Sequence, residues 1–547
     1  MTVATEAAVA PPMRWWGWGE ESKRFELPPA AARMLRDELG EGQRERRVAL
    51  EAVAMPEPRP LPDAITDAVN RASVLLSHEH RLRRAVGRGY PDLVRLRIGR
   101  LEAAPDAVVL PGAPEQVVRV LDVCSREGIA VIPFGGGTSV VGGVEPLAGP
   151  HRAAIALDLR RLRGVEVDRT SLTARIGAGL RGPEAEAALR AEGLTLGHFP
   201  QSFEYATIGG FAATRSAGQA SSGYGRFDEM VTAVRLVAPA GELETIAVPH
   251  SAAGPALREL ILGSEGTLGV ISDVTVRVRP APPSRRYEGW MARSFEQGAE
   301  AVRALAQRDA LPDVVRLSDE EETRVSLALS GAGAAATVLR GAYLRARRRR
   351  RGCLAIVGWE GEADAVARRR NLSGVVLRSG GLAPLGSRPG STWERTRFEG
   401  PYLRDELVDR GYLVETLETA HTWSRVGHLY AAVRAAIAAA LERQGTPGIV
   451  MCHISHVYRD AASLYFTLIA RRRPGEEIEQ WRAAKRAACE AIVAGGGTIT
   501  HHHAVGRDHA PFMSAEVGVL GIDALRALKR ELDPAGIMNP GKLLPSG

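Results

Sequence analysis

Pro133-Phe134-Gly135-Gly136-Gly137-Thr138-Ser139-Val140 follows a short apolar run, residues 129–132, that reads as a buried strand. Three successive glycines leave the main chain bare, so a bulky anion can approach its N–H groups directly. Thr138 and Ser139 add hydroxyl donors. This is the chemistry of a pyrophosphate cradle, and it makes a dinucleotide cofactor the first expectation, although a glycine turn after a strand is by itself more often only a turn. The turn does not read G-x-G-x-x-G and no acidic residue follows at the expected place, so a nicotinamide fingerprint is a poor match.

Around the turn the pattern is that of a mixed α+β block. A strand is expected over 107–110 and an amphipathic helix opened by Pro114 runs through Cys124. Strands follow over 153–157, 165–168 and 172–176, then a helix over 182–192 that stops at Gly193. Strands over 234–238, 242–247 and 270–278 complete the block, and Pro280, Pro282 and Pro283 punctuate its end. From 284 to 495 long Ala/Arg/Glu helices (297–307, 362–372, 424–444, 476–494) alternate with strands (353–359, 448–456, 463–469), which predicts a second domain on an antiparallel sheet. Residues 1–100 hold helical patches, such as 30–40, and an aromatic knot, Trp15-Trp16-Gly17-Trp18, read as a packing cluster at an edge. The tail 522–544 reads as one helix and a Pro/Gly-rich end. The expected division is 1–100, 101–283, 284–500 and 501–547.

The 547 residues, 45% hydrophobic and 25% charged, are ordinary for a globular protein of two or three domains. No apolar run approaches the roughly 20 residues of a membrane span. Residues 1–12 read as an unstructured leader without the basic and apolar regions of a signal peptide. Cys124, Cys353, Cys452 and Cys489 are far apart and form no C-x-x-C pair, which fits a reducing cytoplasm and argues against a disulfide framework. A net charge of +7 from 71 basic and 64 acidic residues requires no nucleic acid partner. The one dense basic block, 345–351, reads first as a solvated loop or helix end, with peripheral contact on an anionic membrane surface as the alternative.

Three more segments rich in glycine and hydroxyl residues lie downstream: Pro200-Gln201-Ser202 with Thr207-Ile208-Gly209-Gly210, Thr214-Arg215-Ser216-Ala217-Gly218, and Gly263-Ser264-Glu265-Gly266-Thr267-Leu268-Gly269-Val270-Ile271. Their order and spacing resemble the FAD-binding domain of the p-cresol methylhydroxylase and vanillyl-alcohol oxidase type over about 106–280. The resemblance implies that Pro133 to Val140 hold the pyrophosphate and that Gln201, Ser202, Thr207, Gly209 and Gly210 line the isoalloxazine and ribityl region. Thr214, Arg215, Ser216, Ala217 and Gly218 would add contacts beside them, and Glu265, Gly266, Thr267, Gly269 and Ile271 would meet the adenosine end and neighbouring backbone. Many relatives attach the flavin through a histidine in the first glycine loop; that loop has none here, so the FAD is expected to be non-covalent.

In the second half, His501-His502-His503 follow Gly495-Gly496-Gly497-Thr498, and upstream lie Ser463-Leu464-Tyr465-Phe466-Thr467, Pro401-Tyr402-Leu403-Arg404-Asp405 and Val315-Arg316-Leu317-Ser318-Asp319. This constellation, with Trp16-Gly17-Trp18-Gly19 at the start and Asn539-Pro540-Gly541 in the tail, resembles the alkyldihydroxyacetonephosphate synthase family. The family reaction is redox-neutral: an acyl-dihydroxyacetone phosphate exchanges its fatty acid for a long-chain alcohol through an adduct at flavin N5. The resemblance implies a lipid-like substrate and a homodimer. It makes Tyr465 the proton-transfer group and sets Arg404, Arg316 and His453 beside the substrate. His453 stands where eukaryotic members carry arginine, and Ala504 where a glycine is usual.

Each role has a physical demand. A phenol ordinarily titrates near 10, so a basic neighbourhood, expected from the histidines and Arg404, must lower it before it acts as a base. A guanidinium fork suits phosphate and carboxylate alike. His501, His502 and His503 would donate to the phosphate or shuttle a proton; if they lie on a strand, only two can face inward. The main alternative is an FAD-dependent 2-hydroxyacid dehydrogenase or oxidase. Such enzymes bind a divalent metal through His and Glu, and His453 with His456 are the candidate ligands here; His502 in place of the expected acid argues against a metal. A flavin-binding protein without catalysis is the remaining reading.

Overall fold

The computed structural model describes residues 13–44, 47–330 and 352–545. The expected leader over 1–12 and the basic block 345–351 lie outside the described residues. The apolar run before the glycine turn is the strand Ile129–Phe134, two residues longer than its apolar core because Phe134 still pairs with Asp158. It runs parallel to Ala153–Asp158, which runs parallel to Ala107–Val109; the short antiparallel strand Val74–Leu75 closes this four-stranded sheet. The helix Pro114–Glu127 lays Val117, Val120, Leu121 and Cys124 into the same core. A parallel sheet needs such cover because both its faces are apolar.

A five-stranded antiparallel sheet follows, ordered Val165–Asp168, Thr173–Gly177, Val270–Arg277, Val231–Ala238 and Gly241–Glu244. The second half folds into one seven-stranded sheet, ordered Ala383–Gly386, Ser284–Ala292, Cys353–Gly361, Val314–Ser318, Gly448–Ile454, Ala461–Arg471 and Tyr412–Thr422, with every pair antiparallel. Helices Phe295–Gln307, Ala363–Ser379, Trp423–Arg443 and Glu477–Ala494 cover it and share its apolar core. The strand Ala461–Arg471 shows why this sheet forms: Leu464, Phe466 and Leu468 are fully buried in that core, while Tyr465 and Thr467, on the other pleat face, stay partly open. Each fully buried side chain of this size contributes about 1.5–3 kcal/mol. The α+β class with an antiparallel second sheet is therefore the one expected. The helix expected over 362–372 extends to Ser379 because Val376 and Leu377 return to the core, and the tail helix begins earlier than expected, at Met513, broken at Gly518.

The aromatic knot does not lie at an edge. Trp18 is 2% exposed, packs on Tyr205 with ring centroids 5.3 Å apart, and shares a cluster with Met13 and Tyr402. Its N–H donates to Asp405 Oδ2 at 2.5 Å, and a Cβ on Gly17 would lie 2.2 Å from that oxygen. The start of the chain thus binds both halves together. The four cysteines are free and buried. Among the described residues no helix is long and apolar enough to cross a membrane.

Candidate active site

The glycine turn sits where four loops meet. A Cβ on Gly135 would lie 2.3 Å from Thr207 Oγ1, and one on Gly136 would lie 2.0 Å from the Tyr205 carbonyl oxygen, so glycine alone lets the second loop close on the first. Thr207 caps the helix Ile208–Ala213 by accepting the Gly210 N–H at 3.2 Å, and Gly209 donates to the Ala178 carbonyl. The Glu265 N–H donates to the Ala213 carbonyl at 3.0 Å, and the ring of Pro133 lies against Gly266. From the N-terminal segment the Arg88 N–H donates to the Ser139 carbonyl at 2.6 Å, while Ser139 Oγ accepts the Gly143 N–H at 2.9 Å. Among the described residues, no protein acceptor meets the N–H groups of Gly136, Gly137 or Thr138. A row of main-chain donors with free valence is what a pyrophosphate needs, and it is the observation on which this site fits FAD.

Not every residue expected at the cofactor turns its side chain there. Arg215 points away: its guanidinium donates to the carbonyls of Glu259 and Leu262 and pairs with Asp228, leaving only its main chain, at φ 48°, to the loop. Ile271 is buried in the core of the five-stranded sheet, and Gly269 packs on the Val237 carbonyl, so both shape the loop from behind. Gln201 is exposed and accepts from Gln219. Ser216 Oγ lies 3.0 Å from His198 Nε2, Thr214 Oγ1 donates to the Gly210 carbonyl, and Gly218 packs on the main chain of Phe199. Glu265, expected at the adenosine end and neighbouring backbone, accepts the Val505 and Gly506 N–H groups, each at 2.7 Å, and so joins this loop to the histidine segment. Burial pushes its carboxyl up to about 7, with those two N–H groups pulling the other way.

The side-chain centre is set by strand register. Glu418, Tyr465 and His453 lie directly opposite one another on three adjacent strands, and Ser318 continues the row. Arg316 lies two residues before Ser318 and therefore on the same face. Tyr465 stacks on His453 with ring centroids 4.7 Å apart and meets His503 edge-on at 5.3 Å and His502 at 5.9 Å. Arg316 is tied to Glu322 Oε1 at 2.7 Å and to the ring of His453. Burial would raise the Glu322 carboxyl, but Arg316 and His453 outweigh it and hold it well below the usual carboxylate range.

His501, His502 and His503 do not form a strand. They bend over the Glu418 carboxylate, which accepts all three of their main-chain N–H groups and the Thr500 hydroxyl. The rings of His502 and His503 meet Tyr465, while the ring of His501 lies against His456 and Tyr458. Burial alone would raise the Glu418 carboxyl; the Thr500 hydroxyl and the three main-chain N–H groups donate to it, and it is held well below the ordinary carboxylate range. Burial keeps the imidazoles neutral, His503 being pushed down to about 3. The phenol of Tyr465 is pushed up to about 12, by burial first and by Glu418, with Thr416 and Arg316 opposing. The expected lowering fails because the neighbouring imidazoles carry no charge and Arg404 is elsewhere: its Nη1 donates to the Arg88 carbonyl at 2.7 Å, behind the glycine turn, and its Nε and Nη2 have no hydrogen-bond partner.

The pairing of His453 with His456 also fails. His453 belongs to Arg316 and Glu322, whereas His456 joins His501 and His502, with ligand nitrogens within 4.8 Å of one another. Sequence reading missed Glu418, Glu322, Tyr458 and Ser221, whose Oγ lies 2.6 Å from His456 Nδ1. The available signal was an acid inside an apolar strand, as at Glu415 and Glu418.

Two family matches divide the chain along the same line: the FAD binding domain over residues 105–247 and the FAD linked oxidases, C-terminal domain, over residues 281–543. The alkyldihydroxyacetonephosphate synthase of Dictyostelium discoideum is 34% identical over 474 residues, covering 85% of this chain and 77% of its own. The chain belongs to the alkyldihydroxyacetonephosphate synthase family. A solved alkyldihydroxyacetonephosphate synthase structure superposes with a TM-score of 0.84 at 29% identity, over 96% of this chain and 98% of that one. p-Cresol methylhydroxylase shares the fold, with a TM-score of 0.65 at 15% identity over 89% of this chain and 99% of its own. The synthase family member described here is an FAD-dependent enzyme.

Proposed function

We propose that this enzyme exchanges the acyl group of an acyl-dihydroxyacetone phosphate for a long-chain alcohol and so makes the ether bond of an ether-lipid precursor, without net oxidation. The observation that carries the reading is the row Glu418–Tyr465–His453 capped by three neutral imidazoles and hinged by Glu265 to the flavin loops. Bound FAD, held non-covalently, supplies the isoalloxazine against which one substituent of the substrate carbon is replaced by another. Residues 133–140 take its pyrophosphate, and loops 201–210, 214–218 and 265–271 enclose the rest mainly through their main chain.

Tyr465 exchanges the proton beside the substrate ketone. At about 12 its phenol starts protonated, so it gives its own proton to a substrate oxygen as it takes up the proton beside the ketone. Arg404, whose Nε and Nη2 have no hydrogen-bond partner, binds the phosphate; Arg316 and His453, clamped by Glu322, orient the substrate. No metal takes part. The division at 100, 283 and 500, a homodimer, a cytoplasmic location and a peripheral membrane contact through 345–351 belong to the same proposal.

The test is incubation of the FAD-loaded protein with acyl-dihydroxyacetone phosphate and labelled hexadecanol. Labelled ether product is expected, and Tyr465→Phe should keep the yellow colour and lose at least about a hundredfold in turnover. No ether product, together with anaerobic bleaching by a 2-hydroxy acid, would favour the dehydrogenase instead.

A further inference from the structure

A cavity of about 500 Å³ opens between the five-stranded sheet and the short helix Ser221–Tyr224, and neither the flavin loops nor the reaction centre uses it. Its size is that of a small-molecule site. The apolar lining is Leu196, Met230 and Val278, all buried, and Leu172, which is 38% exposed. Arg277 and Arg279 line it too, and both are exposed. Among the described residues, the hydrogen bonds of these two guanidiniums go only to main-chain carbonyls. Arg277 donates to that of Glu229, and Arg279 to those of Gly223 at 3.0 Å and Tyr224 at 3.5 Å. The acid at the rim, Glu229, is engaged elsewhere: its Oε2 accepts the Arg226 N–H at 2.8 Å. Two positive charges thus stand beside an apolar wall without a carboxylate bonded to either.

Leu172 is an independent observation. It ends the turn between the strands Val165–Asp168 and Thr173–Gly177 at φ 52°, a left-handed conformation that is unfavourable for leucine and that such turns ordinarily give to glycine or asparagine. Asp168 Oδ1 holds the turn by accepting the Thr170 and Ser171 N–H groups at 2.9 and 3.0 Å, and the Leu172 carbonyl accepts the Val278 N–H at 2.9 Å. Glycine would keep all of these bonds without strain. The leucine side chain, more than a third exposed, is only partly used by the fold; what it adds is apolar surface on the cavity.

We propose that this cavity is a second ligand site, which binds a free long-chain carboxylate with its chain against Leu172, Leu196, Met230 and Val278 and its head on Arg277 and Arg279. A guanidinium fork matches a carboxylate, and an ion without a chain would leave the apolar lining unused. Binding is reversible and no covalent bond changes. The site lies one helical turn from the histidine cluster: Arg279 holds the carbonyls of Gly223 and Tyr224, and at the other end of the same helix Ser221 Oγ lies 2.6 Å from His456 Nδ1. Resting on the synthase reading, the ligand is the fatty acid that the exchange releases; the site itself does not depend on that reading.

The test is photolabelling of the FAD-loaded protein with hexadecanoic acid carrying a diazirine in its chain, mapped by peptide mass spectrometry, with affinity read from the concentration of unlabelled hexadecanoate that protects. Label is expected on the segments around residues 172, 196, 230 and 278. Hexadecanoate should protect them, and hexadecanol or inorganic phosphate should not. Arg277→Met should weaken protection roughly tenfold or more. Leu172→Gly should weaken it roughly threefold to tenfold while the melting temperature holds or rises, an opposition that a leucine serving only the fold would not show; this variant carries the test if Arg277→Met does not fold. Neither readout needs turnover, so a protein that is labelled here and makes no ether would lose the synthase reading and keep this site. Label confined to the segments around Tyr465 and His501–His503, protection by hexadecanol or phosphate equal to that by hexadecanoate, or unchanged affinity in both variants would overturn the proposal.

Discussion

The two halves of the site are built from different materials. The proposed flavin cradle is a main-chain construction: consecutive N–H groups at Gly136 to Thr138, freed by the absence of side chains and by a turn that leaves the sheet after Phe134. The reaction centre is a side-chain construction, in which Glu418, Tyr465 and His453 meet only because three strands share one register and the triplet folds back over Glu418. One is local in sequence and open in its hydrogen bonds, waiting for an anion. The other is assembled from distant segments and nearly closed on itself, so that its carboxylate is already paired and its imidazoles are already neutral. Damage to each should be separable.

The largest expected break is in the second region. Glu418→Gln removes an ionised acceptor of three main-chain N–H groups and the Thr500 hydroxyl, and should cost about 3–5 kcal/mol in urea unfolding. A loss below about 1 kcal/mol would mean that the triplet is held by something else. In the first region Gly136→Ala places a Cβ 2.0 Å from the Tyr205 oxygen and should weaken FAD binding roughly tenfold or more while the Glu418 centre stays intact. Flavin titration followed by fluorescence reads this effect, and unchanged affinity would remove the turn from the cradle.

Acid separates the regions more gently. His503 titrates at about 3 against an ordinary 6.5, so between those values the unfolded chain binds a proton that the folded chain refuses. Stability therefore falls as pH drops from about 6.5 towards 3, and His198 and His509, also pushed down to about 3 by burial, act in the same direction. Thermal melts across that window should show the fall, and His503→Gln should make it shallower; an unchanged slope would contradict a buried neutral imidazole. The smallest effect is Ala504→Gly. Ala504 holds φ 74°, a left-handed conformation that costs a non-glycine residue about 1–2 kcal/mol, partly offset by the entropy glycine loses on folding. A rise in Tm of a few degrees or less is expected, and a fall would show that the methyl group packs usefully.

The contrast also explains what was legible beforehand. Glycine and proline punctuation act locally, so the strand at 129–134, its turn and the helix at Pro114 could be read from neighbouring residues. The resemblance pointed to Tyr465 and the triplet, but not to the carboxylate beneath them, because nothing near residue 418 predicts that residue 465 lies opposite. The strand assumed for 501–503 failed for the same reason: Glu418 supplies acceptors from another strand, and the main chain bends to reach them. Arg404 was assigned to the phenol from its motif, whereas its helix, Gly400–Asp409, carries it to Arg88 behind the glycine turn. Charge was the other blind spot, since burial decides whether histidines are cations and burial follows from the whole fold.

A crystal structure of the FAD-loaded protein tests the central claim most directly. It should show the pyrophosphate on the N–H groups of Gly136, Gly137 and Thr138, and the isoalloxazine within van der Waals contact of Tyr465 and at least one of His502 and His503. A ring bound away from those side chains, or a pyrophosphate held elsewhere, would contradict it.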